Sequence, residues 1–341
     1  MKKWFESTGD EGDIVISTRI RLARNIDRCP FPSRQRDKQS RDIIDNVDSA
    51  MERLGASFCD FERIDVTAKD DIYLRSLVEK HLISPEFAES SRPRALFLSK
   101  DESVSMMINE EDHVRLQVLG TGLCLKSVFD TADKLDNLLD ESLHYAFDDR
   151  LGYLTNCPTN LGTGMRASVM LHLPLLTESS YMRRIINAAG KLGIAVRGLY
   201  GEGSEAQGAI YQISNCVTLG FSELEIIEQL ENTVRNIIRD ERKLRERVAQ
   251  KPEKLADRVY RAGAILKAAR ILSASEAMSL MSDLRLGLGM NYDKIPESAL
   301  LNRLIWEIQP ANISLGKKEI STPSERDIIR AELVRRTLGS N

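Results

Sequence analysis

The stretch NCPTNLGTG at residues 156–164 combines a cysteine, a proline and two glycines in a short polar segment, and Arg166 lies just beyond it. Proline and glycine indicate a tight turn. They do not explain Cys157, which on its own would be interpreted as a small buried apolar residue. The chemistry of this turn therefore has to be judged together with the other charged groups of the chain.

Four groups of charged residues stand at the ends of strand-like patterns. They are Arg19 and Arg21 in STRIRL, NEEDHVR at 109–115, Arg166, and RGLYGEGSEAQG at 197–208 with Arg197 and Glu202. Each group alone has an ordinary explanation as a solvated strand face, a polar turn or a loop. Five arginines at strand ends in a nearly neutral chain instead favour a polyanion site, such as nucleotide phosphates. The chain has neither a GxxxxGK[ST] loop nor the protein-kinase motif set, so arginines would have to hold the phosphates.

The segment NCPTNLGTGMRASV resembles the active-site signature of the ATP:guanido phosphotransferases, Cys-Pro-Ser/Thr-Asn-Leu/Ile-Gly-Thr. STRIRLARN and NEEDHVR resemble two further motifs of that family, and the loop at 197–208 resembles a fourth less closely. All four occur in the family's order between residues 14 and 220. The resemblance implies a glutamine-synthetase-like catalytic domain that uses ATP and Mg²⁺ to phosphorylate a guanidinium group.

The resemblance implies a role for each candidate residue, taken from the family motif that the residue matches. Glu111 matches the catalytic glutamate, and Glu110 beside it matches a group that contacts a metal-bound water or orients its neighbours. Glu202 matches a loop glutamate that closes on the guanidinium, and Cys157 matches a reactive thiolate beside that group. The ATP phosphates are assigned to Arg19, Arg21, Arg115, Arg166 and Arg197. No metal site made by protein side chains alone is predicted.

These residue types suit phosphoryl transfer to a guanidinium. A protonated guanidinium is a poor nucleophile, and deprotonating it at pH 7 costs on the order of 8 kcal/mol. Two carboxylates can align its planar fork, and one of them can accept the proton during attack. Arginines and Mg²⁺ can stabilise the charge on the phosphoryl group during its transfer.

The chain differs from the family members that phosphorylate small guanidino compounds, and in these differences it resembles one subgroup, the bacterial protein arginine kinases. The chain starts close to STRIR, without the helical domain that precedes it in those enzymes, and Met170 replaces the usual histidine, with His172 two residues on. It also continues for about 90 residues beyond their end. The subgroup implies protein substrates with exposed arginines, delivery to a Clp-type unfoldase-protease, an activator protein, and a heat-shock repressor as a client.

The segment RDIIRA at 326–331 resembles the motif with which that subgroup binds phosphoarginine at a regulatory site. Arg326 and Arg330 lie one helical turn apart and could grip a phosphate, while Asp327 takes the guanidinium. The alternative is an exposed helix with a salt bridge. Apolar runs in the same C-terminal region also predict a homodimer interface.

The elements that must position these residues form an α+β pattern. Strand-like segments begin at 14–22 and dominate 94–221, including LGYLT at 151–155, with helical segments near 40–54, 68–83, 131–145 and 177–192. An S-x-x-E capping box at Ser222 starts a long helix, which Pro252 ends. We therefore predict an antiparallel sheet flanked by helices in a catalytic domain at 1–250. A small all-helical domain at 251–341 would serve dimerisation and phosphoarginine binding.

Composition narrows the class of protein. The 341 residues are 42% hydrophobic and 29% charged with a net charge of −3, so no global charge favours nucleic acid or membranes. Five cysteines without a CxxC pair indicate reduced thiols and a cytoplasmic location. No apolar stretch approaches the roughly 20 residues of a membrane span. Two rival functions remain: a kinase of free arginine, and a phosphoarginine-binding adaptor with an inactive kinase fold.

Overall fold

The computed structural model describes residues 2–54, 60–179, 181–198, 207–288, 290, 292–293, 295–316 and 322–339. Its strands are β1 Val15–Arg24, β2 Phe61–Ile64, β3 Ala95–Ser99, β4 Val104–Ile108, β5 Val114–Thr121, β6 Phe147–Asp148, β7 Gly152–Tyr153, β8 Met165–His172, β9 Ile194–Gly198 and β10 Ile210–Asn215. Its α-helices are α1 Asp37–Leu54, α2 Asp71–Glu79, α3 Pro85–Glu89, α4 Leu125–Leu143, α5 Pro174–Glu178, α6 Tyr181–Lys191, α7 Glu223–Ala249, α8 Pro252–Ala268, α9 Ala274–Leu286, α10 Ser298–Glu307, α11 Pro310–Ser314 and α12 Pro323–Gly339.

Eight strands form one sheet in the order β2-β3-β4-β5-β1-β8-β10-β9, and every neighbouring pair is antiparallel. This confirms the predicted fold class. Two local differences stand out: β2 was not predicted, and the LGYLT segment contributes only two residues to a small hairpin with β6. The STRIRL strand, β1, lies near the centre of the sheet, between β5 and β8.

The two faces of the sheet have different partners. On one face, apolar side chains such as Ile20, Leu22 and Val169 form a core with α1, α4 and α7. The opposite face carries the odd-numbered positions of β1 from Ser17 onward, including Arg19 and Arg21, because successive side chains of a strand alternate between faces. One end of that face is covered by a second core, which joins α2 and the C-terminal helices.

Two predicted helix starts agree with the observed ones, whereas the helix predicted at 131–145 begins at Leu125 and the one predicted at 177–192 is divided into α5 and α6. Ser222 and Glu225 form the capping box that begins α7, and α12 begins at Pro323. The break between α7 and α8 falls beside Pro252, close to the predicted domain boundary. Trp306 and other residues of the C-terminal helices nevertheless share the second core with Trp4 and Leu77. Within the described residues, no helix is both long and apolar enough to span a membrane.

Candidate active site

Antiparallel register places all five predicted phosphate-binding arginines on one face of the sheet. Arg21 of β1 is directly opposite Arg166 of β8, and on its other side it faces Gln117, two residues after Arg115. Residues paired directly across two strands share a face. Gln212 of β10 pairs with Met170 on one side and with Arg197 on the other, which extends the same face to the edge strand β9.

The arginines of this face destabilise one another's charge. Burial, together with the charges of Arg115 and Arg166, lowers the pKa of Arg19 to about 10. Burial and neighbouring arginines also lower the pKa of Arg21 well below its usual value, and they lower the pKa of Arg166. The buried Nε atoms of Arg21 and Arg166 have no hydrogen-bond partner. Buried, mutually repelling guanidinium groups are the counterpart that a polyanion requires.

A set of neutral polar side chains holds Arg19 in place. Its Nη2 donates to Gln212 Oε1 at 3.1 Å, and its Nε and Nη1 donate to Ser168 Oγ and Gln117 Oε1, both at 3.4 Å. Gln117 Nε2 in turn donates to the carbonyl of His81 at 2.7 Å. These partners orient the guanidinium without neutralising it, so its charge stays available to a ligand.

The adjacent glutamates of the NEED turn have different environments. Glu110 is buried and accepts from Arg115 Nη1 at 2.5 Å and from Ser84 Oγ at 2.6 Å. Burial alone would raise its pKa, but Arg115 and the hydrogen bonds outweigh burial and lower it. The Glu111 side chain is 37% exposed and lies 4.0 Å from Arg115 Nη2. Burial, with Asp112 and Glu110 nearby, raises the pKa of Glu111.

Asp112 connects the NEED turn to the cysteine turn. Its Oδ1 accepts from the backbone N–H of Asn156 and from Asn25 Nδ2, both at 2.7 Å. His113 holds the end of the NEED turn against the segment that follows β1, because its Nδ1 accepts from the backbone N–H of Ile26 at 2.9 Å. Hydrogen bonds through Asp112 therefore tie the NEED turn to Asn156, which directly precedes Cys157.

The cysteine turn is shaped by glycine and threonine. Cys157 is half-buried, and its Sγ lies 3.1 Å from Thr159 Oγ1. Its thiol contributes to raising the pKa of Arg166, against the larger effect of burial. Gly162 has φ of 98°, and a Cβ there would lie 2.3 Å from the carbonyl oxygen of Thr218. A side chain at this position would push the turn away from the strand end that supports it.

Arg197 lies on the arginine face, one residue before the end of β9. Glu202 lies outside the described residues. The RDIIRA segment lies in α12, among the C-terminal helices. There the buried Arg330 donates to the carbonyls of Ile308 and Leu272, both at 2.8 Å, and to Asp327 at 2.5 Å. The predicted proximity of Asp327 to Arg330 is confirmed, and Arg330 also anchors α12 to its neighbours.

Sequence reasoning missed the supporting residues of the site. Gln117, Ser168 and Gln212 follow the period-two pattern of the arginine face, which is the one signal that could have identified them. Asp112 was part of the NEED motif, but its link to Asn156 depends on tertiary contacts. Among the described residues, no cluster of three or more His, Cys, Asp or Glu side chains could hold a metal ion.

Comparison with known proteins identifies the family. The family model described as ATP:guanido phosphotransferase, C-terminal catalytic domain, matches residues 42–244. The chain belongs to the ATP:guanido phosphotransferase family. A second model, described as Protein-arginine kinase McsB C-terminal domain, matches residues 252–341. Family membership confirms the resemblance seen in the motifs and makes the chain an ATP-dependent phosphotransferase.

Curated relatives match over nearly their whole length. A protein named protein-arginine kinase from Caldanaerobacter subterraneus subsp. tengcongensis is 45% identical over 332 residues, which cover 94% of this chain and 96% of the relative. Another of that name from Clostridium acetobutylicum is 43% identical, over 99% of this chain and 100% of the relative.

Solved structures agree with the family. Lombricine kinase has a TM-score of 0.62 and 27% identity, over 70% of this chain and 68% of that chain. The duplicated taurocyamine kinase of Schistosoma mansoni with bound transition state analog components has the same score and identity, over 77% of this chain and 38% of that chain. These guanido kinases confirm the predicted type of catalytic fold.

Proposed function

We propose that this phosphotransferase is a protein arginine kinase, which transfers the γ-phosphoryl group of ATP to the guanidinium of arginine side chains in proteins. The observation that carries the proposal is the single sheet face with five arginines, next to Glu111 and the Cys157 turn. Relatives named protein-arginine kinase and the matched C-terminal domain support a protein as the acceptor.

In this proposal the arginine face binds the phosphates. Arg19, Arg21, Arg115, Arg166 and Arg197 hold the triphosphate in line with the acceptor and stabilise the charge that builds up on the moving group. The lowered pKa values of Arg19 and Arg21 support this role, because an incoming polyanion relieves the repulsion. Bound Mg²⁺ would add charge neutralisation at the phosphates.

The acceptor end needs a base and a means of alignment. Glu111 is proposed to accept the guanidinium proton as the nitrogen attacks, because its raised pKa suits a base better than that of Glu110 does. Glu110 orients Arg115 instead. Cys157 and Glu202 are proposed to complete the anionic wall around the guanidinium.

Arginine-dependent release of ADP tests this function. Two peptides would differ only by lysine in place of one arginine, and each would be incubated with Mg-ATP. ADP release is expected with the arginine peptide alone and is expected to fall about 10²- to 10⁴-fold in Glu111→Gln. Equal release with both peptides would contradict the proposal, and undiminished release by Glu111→Gln would contradict the assignment of the base.

We infer a catalytic domain at 1–250 and a helical domain at 251–341 that dimerises and binds phosphoarginine through Arg326, Asp327 and Arg330. We further propose a cytoplasmic location, an activator protein, delivery of marked proteins to a Clp-type unfoldase-protease, and action on a heat-shock repressor. The match of residues 252–341 to the C-terminal domain of protein-arginine kinases supports the separate helical domain.

A further inference from the structure

Exposed apolar side chains gather around the Cys157 turn. Fourteen large apolar side chains are exposed in the described part of the chain, and four of them lie within residues 217–224. With two neighbours they form what we call the apolar rim: Leu151, Leu192, Val217, Leu219, Phe221 and Leu224. Their exposed fractions range from 42% to 55%. Scattered apolar residues are normal on a protein surface, but a contiguous group usually marks an interaction site.

Backbone hydrogen bonds tie the rim directly to the turn. On one side, the N–H of Gly162 donates to the carbonyl of Leu151 at 2.8 Å. On the other side, the N–H of Thr163 donates to the carbonyl of Thr218 at 3.1 Å, and Thr218 Oγ1 donates to the carbonyl of Leu161 at 2.6 Å. The segments that carry Leu151, Val217 and Leu219 therefore flank the turn that carries Cys157.

Further hydrogen bonds extend the rim to two more segments, the turn before β9 and the start of α7. The N–H of Cys216 donates to the carbonyl of Gly193 at 2.8 Å, which brings the turn before β9 against Val217. Gln229 Nε2 donates to the carbonyl of Leu192 at 2.9 Å, so the start of α7 lies against that turn. Leu192, Val217 and Leu224 are thus linked by neighbouring segments rather than scattered.

We propose that the apolar rim binds the residues on either side of the target arginine in an unfolded polypeptide. An arginine that reaches Cys157 brings its own backbone to the surface of the turn, and extended residues at about 3.3 Å each must then lie over the surrounding side chains. The rim offers those residues an apolar surface. Folded proteins bury most of their large apolar side chains, so a partner with accessible apolar flanks is an unfolded one. The inference rests on the proposed function and specifies its substrate.

Direct binding and turnover together test the rim. Two peptides would share one arginine, flanked in the first by leucine and phenylalanine and in the second by serine and asparagine. In the double variant Leu219→Ser, Phe221→Ser, affinity for the apolar peptide, measured by fluorescence anisotropy, is expected to fall about tenfold. Affinity for the polar peptide and its kcat are expected to stay unchanged. Tyr260→Ser with Ile265→Ser removes a similar exposed pair from α8 and should leave both peptides unaffected.

Three results would overturn the inference. They are unchanged binding of the apolar peptide by the rim variant, an equal loss for both peptides, and a loss of dimer in sedimentation with unchanged peptide affinity. The second result would mean that the rim supports the fold of the turn, and the third that it contacts a second copy of the chain. Failure of the wild-type protein to phosphorylate either peptide would count against the proposed function, while the binding comparison would still decide the role of the rim.

Discussion

At the scale of single residues, one type of side chain, that of glutamate, serves two purposes in the site. Glu110 and Glu111 are adjacent, yet the pKa of the first is lowered and that of the second is raised. The difference comes from partners: Glu110 is held by Arg115, Ser84 and a backbone N–H, while Glu111 is less buried and has like charges beside it. The motif letters alone do not distinguish the two, because this difference arises from tertiary contacts.

The raised pKa of Glu111 predicts a pH dependence. A general base must be ionised, so kcat/KM for an arginine peptide should fall as the pH drops through the pKa of Glu111. Because that pKa is raised above its usual 4.5, the acid limb should have its midpoint above 4.5. Steady-state rates across pH would show it, and the residual activity of Glu111→Gln should lack the limb. An identical limb in that variant would assign it to another group.

At the scale of elements, the turn that carries Cys157 depends on a close backbone approach. Gly162→Ala would place a Cβ 2.3 Å from the carbonyl oxygen of Thr218, whereas Gly220, also at positive φ, has nothing within 4 Å. Gly220→Ala should cost about 1 kcal/mol through strain alone. The Gly162→Ala variant should be less stable to unfolding than Gly220→Ala by roughly 2 kcal/mol. It should also lose most of its catalytic turnover, because the turn must move. Urea unfolding and kcat would measure both, and equal effects of the two substitutions would refute this account of the turn.

The sequence was most informative about the individual secondary-structure elements. Period-two alternation in STRIRL was sufficient to place Arg19 and Arg21 on one strand face. It could not give the strand order β5-β1-β8-β10-β9, because antiparallel neighbours here are distant in the chain. The short hairpin at Gly152 was overpredicted as a strand, since its local β-propensity is satisfied by contact with Gly162 rather than by the main sheet.

At the scale of the whole molecule, the C-terminal helices pack directly over one end of the arginine face. Trp306 of α10 contacts His81 with ring centroids 5.2 Å apart, and the carbonyl of His81 holds Gln117 beside Arg19. Sequence could separate the two regions at Pro252, but it could not show that they share a core. Apolar periodicity marks a buried face and does not identify what covers it.

The buried Arg330 and the less buried Arg326 should respond differently to substitution. Arg330→Ala would leave the carbonyls of Ile308 and Leu272 without a donor, so it should lower the free energy of unfolding by roughly 2 kcal/mol and weaken phosphoarginine binding. Arg326→Ala should weaken that binding with a smaller loss of stability than Arg330→Ala, because Arg326 is less buried. Calorimetric titration with phosphoarginine and thermal unfolding would separate the two effects. Unchanged binding by both variants would remove RDIIRA from the proposed regulatory site.

The most direct measurement of the central claim is mass spectrometry of an unfolded, arginine-rich protein such as casein after incubation with Mg-ATP. Neutral conditions preserve the acid-labile N–P bond, and parallel incubations would contain free arginine or the Glu111→Ala variant. Phosphoarginine should be found in the protein and be absent with the variant. Phosphorylation of free arginine alone would contradict the claim in favour of a small-molecule kinase. Absence of any product, with cellular extract added to supply an activator, would favour the phosphoarginine-binding adaptor instead.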